Sequence, residues 1–386
     1  MKRGIQGFLT KAAGAGTESY DIYYPNPLPP EINYSEIKKS LEMANRAIGE
    51  LNGIVGLIPD FDIINYIYIR KEAVMSSQIE GTQSTLDDLL KYEAAETAGV
   101  PIDDDIAEVS SYVAAMNYGL KRLDKLPLSL RLIREIHKVL LTNNRGKNKT
   151  PGEFRTSQNW IGGSRPGNAM FVPPSPENLM SALGDFEKFM NAEDEIPELV
   201  RAALLHHQFE TIHPFLDGNG RIGRLLITFY LTARGFLYSP YLYLSLFFKK
   251  HKHLYYDYLT GVRKDGDWET WLNFFLEGVL ETATDAKNIL MKIRLIFQND
   301  RDAAANLGRS AKATSKVLEQ FRKKPMLKVG ELIKKTGLTR PTVISSVKRL
   351  IGMGILSPLS EKKWGQTYVY SNYVNTLNAD SNIVCY

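Results

Sequence analysis

One stretch of twelve residues limits what this chain can fold into: His213-Pro214-Phe215-Leu216-Asp217-Gly218-Asn219-Gly220-Arg221-Ile222-Gly223-Arg224. Pro214 and the Gly-Asn-Gly break regular structure, so the stretch begins as a loop. Residues 225–231 are apolar and free of Gly and Pro, which predicts a buried helix after the loop. Residues 198–212 predict a second helix before it. A glycine-rich loop at a helix start offers unpaired backbone N–H groups and the positive dipole end, a setting for an anion. Glycines let that backbone approach a phosphate closely. Arg221 and Arg224 lie three apart, on one helical face, as a fork for further phosphate oxygens. Asp217 is a hard oxygen ligand suited to a phosphate-bound Mg²⁺. His213 is a candidate general base near neutral pH.

The rest of the chain is long enough, at 386 residues, for two or three domains with a sizeable core. Hydrophobic content of 44% and charged content of 24% are those of an ordinary soluble globular protein. The single cysteine, Cys385, excludes an intrachain disulfide and a thiolate zinc cage, and fits a reducing cytoplasm. Residues 1–16 have no long apolar core, and the most apolar stretch, residues 238–248, is too short to span a bilayer. The expectation is a cytoplasmic protein with no membrane partner. The net charge of +5 is uneven: residues 301–386 carry 15 Lys+Arg against 5 Asp+Glu, a net of +10, so the preceding 300 residues carry −5. A basic end module on an acidic body suggests two functions with different partners.

Residues 1–33 are polar and then proline-rich, predicting an extended arm. Helices are expected near 35–51, 63–77, 85–95, from 103 through 123, and at 130–141 behind a Ser129 cap. Residues 151–174 have strand-like ends around a Gly/Pro/Ser-rich middle, which predicts a hairpin with a free edge. Aromatics crowd residues 237–280, most of them core. His206 and His207 are neighbours on a helix and point about 100° apart, so they are expected to be structural and not a metal pair. Residues 303–313 read as a helix end and linker. Beyond them, helices near 315–321, 329–336 and 341–353 and strands near 355–357 and 367–371 predict a winged helix. Its second helix would show Arg340, Thr342, Ser345, Lys348 and Arg349, bury Val343, Ile344, Val347 and Leu350, and put Lys362 and Lys363 at the wing tip. That basic footprint suits DNA phosphates.

The 213–224 stretch matches H-P-F-x-[DE]-G-N-G-R-x-x-R at every fixed position and so resembles the signature of the Fic family. The resemblance is strong over residues 128–280 and weaker upstream. It implies a mainly α fold: a Fic helical core with a β-hairpin flap at 151–174, joined to a C-terminal winged-helix domain. The expected division is 1–110 for the arm and N-terminal helices, 111–300 for the catalytic core, and 301–386 for the winged helix. It also implies transfer of AMP from ATP to a Ser, Thr or Tyr hydroxyl of a protein. His213 would be the base and Asp217 the Mg²⁺ ligand. Gly218, Asn219, Gly220, Arg221, Ile222, Gly223 and Arg224 would form the phosphate site, with the Asn219 side chain as a donor and Arg224 on the γ-phosphate. Tyr255 and Tyr256 resemble the Tyr-Tyr-x-x-Leu of the family's nucleoside pocket. Ser76 through Gly81 fits the family's inhibitory pattern [ST]-x-x-x-E-[GN], which implies that Glu80 pairs bidentately with Arg224 and blocks productive ATP binding.

Other readings stay open on the same residues. The core could remove AMP or transfer another phosphate-containing group, or it could serve as the nucleotide sensor of a DNA-binding regulator. A target protein, the chain itself as a target, duplex DNA and, since Fic relatives often dimerise, a second copy are the candidate partners.

Overall fold

A computed structural model describes residues 2–14, 18–56, 61–95, 103–142, 145–359 and 366–378. The chain opens with two antiparallel strands, β1 (Gly7–Ala13) and β2 (Ser19–Pro25), in register from Gly7 opposite Pro25 to Ala13 opposite Ser19. The expected extended arm is therefore a hairpin. It is fastened at its open end: Tyr23 N–H donates to the Val172 carbonyl at 3.0 Å, and Arg3 meets both oxygens of buried Glu269 at 2.8 and 2.6 Å.

Helices then follow one another: α1 (Tyr34–Val55), α2 (Phe61–Ile79), α3 (Leu86–Ala95), α4 (Asp104–Leu123) and α5 (Leu130–Leu141). Caps explain where several begin. Asn33 Oδ1 accepts from Ser35 N–H, Asp103 Oδ1 from Asp105 N–H, and Ser129 Oγ from Leu132 N–H. After a long loop come α6 (Pro176–Met190), α7 (Glu198–Ile212), α8 (Asn219–Ala233), α9 (Leu244–Lys250), α10 (Lys252–Asp265) and the 38-residue α11 (Trp268–Ala305). α7 and α8 are buried along nearly their whole length, so they form the centre of the bundle. α1 lies along α11, α4 packs on α5, and α2 packs on α4 and α9.

Residues 151–174 hold a looser hairpin than expected. Its pairing among the described residues is the single bridge Ile161–Phe171, with a short 3₁₀ turn, Pro166–Asn168, at the tip. The middle is too rich in Gly, Pro and Ser to extend a ladder.

The C-terminal unit contains α12 (Ala311–Lys323), β3 (Met326–Lys328), α13 (Val329–Thr336), α14 (Arg340–Gly352), β4 (Leu356–Pro358), β5 (Thr367–Tyr370) and α15 (Ser371–Asn378). Its sheet has the order β3-β5-β4, all antiparallel; β3 was not anticipated. On α14 Ser346 joins Val343, Val347 and Leu350 on the buried face, while Ile344 is only half-buried. Lys362 and Lys363 lie outside the described residues. The expected boundaries at 110 and 300 fall inside α4 and α11, and the C-terminal unit packs back on the body: β3 on α3, α12 on α2, and α15 on α11.

α4 crosses α8 at Gly119. A Cβ there would lie 2.3 Å from Phe229 Cζ, and Phe229 is buried in the core. Gly119→Ala should therefore destabilise the fold by about 1–3 kcal/mol through overpacking, despite its gain in helix propensity. Denaturant midpoints of the two proteins measure this, and an equal or higher midpoint would show that the helices do not meet at Gly119.

Candidate active site

The site begins where α7 ends. His213 terminates that helix in a left-handed conformation, φ 49° and ψ 60°, uncommon for a residue with a Cβ. The surrounding contacts hold it there. Its carbonyl accepts from Arg155 Nε at 3.0 Å and from Asn159 Nδ2 at 3.1 Å. Arg155 is itself buried and also donates to the carbonyls of Pro174 and Ile212, so one guanidinium closes the C-terminal end of α7. Burial pushes it down to about 10. The His213 ring is half-buried, and its Nδ1 lies 3.3 Å from the Glu210 carbonyl. A carbonyl only accepts, so Nδ1 carries the proton and the Nε2 lone pair is left for a substrate. Burial lowers the imidazole to about 4, so it is neutral at physiological pH.

The loop that follows is braced by its own side chains. Asn219 Oδ1 accepts from Phe215 N–H at 2.8 Å, and its Nδ2 donates to the Phe215 carbonyl at 2.8 Å. The Asn219 side chain thus braces the loop through Oδ1 and one Nδ2 hydrogen. His137 of α5 supports the loop from below. Its Nδ1 accepts from Gly152 N–H at 2.9 Å, its Nε2–H donates to the Asp217 carbonyl at 3.0 Å, and its ring stacks on Phe215 with centroids 3.7 Å apart. Burial lowers His137 to about 4, in keeping with a neutral ring.

Asp217 Oδ1 accepts from Gly218 N–H at 2.6 Å and from Arg221 Nη2 at 3.1 Å, and Arg221 Nη1 lies 2.7 Å from Glu108. Gly218 therefore already has a partner for its N–H. Ile222 N–H donates to the Gly218 carbonyl at 3.0 Å and its side chain is core, so it offers nothing to a ligand. The N–H groups of Asn219, Gly220 and Arg221 form the first turn of α8, where the helix itself supplies no acceptor. These three form the candidate cradle for an anion. Gly223 sits one turn further in, and its carbonyl receives a hydrogen bond from His206 Nδ1–H at 3.0 Å.

Arg224 is buried under this cradle. Its Nη2 donates to Glu80 Oε1 at 2.6 Å and to the Ser76 carbonyl at 3.0 Å, and its Nε donates to Ser76 Oγ at 2.8 Å. Glu80 thus meets the guanidinium through one oxygen, and the expected two-point pairing is replaced because Ser76 takes the Nε edge. Burial pushes the Glu80 carboxyl up, but the charge and hydrogen bond of Arg224 outweigh it and hold it below its ordinary range. The end of α2 that carries Glu80 is secured by Lys252 Nζ, which donates to the Ile79 carbonyl at 2.7 Å, and by Lys249 Nζ, which donates to Gln78 Oε1 at 2.7 Å.

These residues surround one cavity of about 460 Å³. Its floor is Asp217 through Arg221 with Arg224; its walls include His213, Glu80, Glu210, Tyr255 and Tyr256; Trp160, Ile161 and Gly162 of the 151–174 segment overhang it. Tyr256 is exposed to the cavity, whereas Tyr255 is buried with its hydroxyl 2.8 Å from His206 Nε2. His206 and His207 make separate contacts, His207 through Nε2 to the Leu259 carbonyl, and burial lowers both to about 3. They are structural, as expected. Among the described residues no three His, Cys, Asp or Glu side chains cluster as a metal cage.

Residues 38–121 match the Fic/DOC family N-terminal region, and residues 127–231 match the Fic/DOC family. This part of the chain belongs to the Fic/DOC family. The chain is similar to a Culex quinquefasciatus protein named protein adenylyltransferase Fic, 38% identical over 128 residues, which are 33% of this chain and 23% of that one. It is likewise similar to the Aedes aegypti protein of the same name, 35% identical over 155 residues, 39% of this chain and 27% of that one. It thus spans about a quarter of the length of these relatives. A Fic family protein from Desulfovibrio desulfuricans G20 shares the fold, with a TM-score of 0.56 and 18% identity, covering 89% of this chain and 98% of that one. No described helix is long and apolar enough to cross a membrane.

His137, Arg155, Asn159 and Glu210 were not anticipated as site residues. Only Glu210 left a trace in the sequence: it is an acidic residue on the last turn of α7, three residues before His213.

Proposed function

We propose that this chain transfers AMP from ATP to a Ser, Thr or Tyr hydroxyl of another protein and releases pyrophosphate. The observation that carries the reading is one cavity in which a neutral histidine faces a helix-start phosphate cradle and a buried arginine. His213 Nε2 takes the proton from the attacking hydroxyl. The hydroxyl oxygen forms a bond to the α-phosphorus as the bond from that phosphorus to the bridging oxygen breaks. The first-turn N–H groups of α8 and Arg221 hold phosphate charge in place, which is most of what such a transfer asks of a protein. Asp217 fits a Mg²⁺ carried by the phosphates, since its Oδ2 is engaged by no described residue; the ion would neutralise phosphate charge. The overhanging 151–174 segment, with few of its backbone groups paired, suits an extended target segment beside it.

His213→Ala should lower AMP transfer by about 10²–10⁴ while ATP still binds, because the phosphate contacts belong to other residues. At saturating ATP the wild-type kcat should show no limb from His213 between about pH 8 and about pH 5, and should fall as the histidine protonates toward about 4. An acid limb at the ordinary histidine value would show that the working base is not the buried ring.

Glu80 is read as a brake. With Arg224 engaged by Glu80 and Ser76, the guanidinium cannot take the γ-phosphate, and ATP lies unproductively. A hydrogen bond between charged groups is worth about 1.5–3 kcal/mol, roughly ten- to a hundredfold in the competent state. Glu80→Gly should raise the initial rate of AMP incorporation by that factor, and adding Arg224→Ala should cancel the gain. A rate for Glu80→Gly at or below wild type removes the brake.

The C-terminal unit is read as a winged helix for duplex DNA. Arg340, Lys348 and Arg349 are exposed on α14 above its buried Val343, Val347 and Leu350. With the net +10 of residues 301–386, this supports phosphate contact. Binding should weaken with salt at a slope of about −0.9 per phosphate neutralised, and replacing the three basic residues should shallow it. Absence of any mobility shift at low salt assigns this unit to protein recognition instead.

A further inference from the structure

Glu210 is the group in the cavity that the proposed reaction leaves unused. It stands on the last turn of α7, is 8% exposed, and lines the cavity with Arg224, Tyr255 and Tyr256. Its Oε1 is buried and has no hydrogen-bond partner. Its place is made by a glycine: a Cβ on Gly223 would lie 2.3 Å from Glu210 Oε1. Oε1 is packed against Gly223, so the carboxyl reaches the cavity wall only because residue 223 has no side chain, and a carboxyl buried with so few donors is stabilised by a ligand that donates to it.

A nucleoside triphosphate has few donors. Its phosphates only accept; the donors are the ribose hydroxyls and, on adenine, the exocyclic amine. Phosphates over the first turn of α8 and a base toward Tyr255 and Tyr256 would leave the ribose between those parts of the lining. Glu210 lines the same cavity, against Gly223, one turn beyond Gly220 on α8. An acidic side chain accepting from ribose hydroxyls is a chemistry that nucleotide sites use.

We infer that Glu210 is a specificity-determining residue that accepts hydrogen bonds from the ribose hydroxyls of the bound nucleotide and so selects ribonucleotides over deoxyribonucleotides. This rests on the nucleotide reading of the cavity. Burial pushes the carboxyl up to about 7, against the pull of Arg224, so the ionised acceptor becomes the dominant form as pH rises above neutrality. Discrimination should sharpen in the same direction.

The test is calorimetric binding of ATP, 2′-deoxy-ATP and 3′-deoxy-ATP to the full chain and to Glu210→Ala, Glu210→Gln and Gly223→Ala. The wild type should bind ATP about ten- to a hundredfold more tightly than at least one deoxy analogue, the range for a hydrogen bond to a charged acceptor. Glu210→Ala should bring the ratio close to one. Glu210→Gln, which keeps shape and loses charge, should lower it. Gly223→Ala should act like Glu210→Ala by occupying the carboxylate's place. A wild type that binds all three equally, or a folded Glu210→Ala that keeps the wild-type ratio, overturns the ribose assignment while leaving the nucleotide reading intact. Failure of every protein to bind ATP overturns both.

Discussion

A buried guanidinium must be met by acceptors, and much of this structure follows from meeting Arg224. The motif that brings it to the cavity supplies none of its described hydrogen-bond partners: Ser76 is on the last turn of α2 and Glu80 follows its end, 144 or more residues earlier in the chain. The end of α2 must therefore reach the first turns of α8. Beneath it, buried Glu72 hydrogen-bonds Ser245 and Tyr112, which ties α2 to α9 and α4. Lys249 and Lys252 secure the tip from α9 and α10. Four helices are thus fixed relative to α8 by polar contacts that would each be expensive to leave unmade.

The same helix reaches the C-terminal unit. α12 packs on α2 and β3 on α3, while Tyr66 and Arg70 near the start of α2 share Glu93 of α3. The body and the basic unit therefore meet on the element that carries Glu80, and the long α11 passes from one to the other. The division into parts with different charge is real in composition, but the packing does not treat those parts as separate objects.

The 213–218 loop is stiff because its polar groups are satisfied from within and below. Asn219 bonds both backbone groups of Phe215, Arg155 and Asn159 hold the carbonyl of His213, and His137 holds that of Asp217. Such bracing lets a histidine stay in a left-handed conformation with its ring neutral. Pre-organisation of this kind costs nothing further at the moment of reaction.

The sequence by itself marked the motif and many of the helices, though not α6, α9, α10, α11 or α15. Caps and apolar periodicity marked α5, α7 and α13 to the residue, since these depend on local backbone preferences and on one buried face. The twelve residues 213–224 marked a candidate phosphate site, because glycines, a carboxylate and two arginines stand there at the spacing of a loop running into a helix start. Tertiary structure decided what lay beyond local rules. The strands Gly7–Ala13 and Ser19–Pro25 paired, and Tyr23 and Arg3 found partners in Val172 and Glu269 far along the chain. The 151–174 segment kept one bridge because no ladder was available to it. Asn219 turned inward, Ile222 joined the core, and Glu210 entered the cavity opposite Gly223. A side chain's type can be read from the sequence, but its partner across a hundred residues is set only when the helices close on one another and each buried polar atom must find a match.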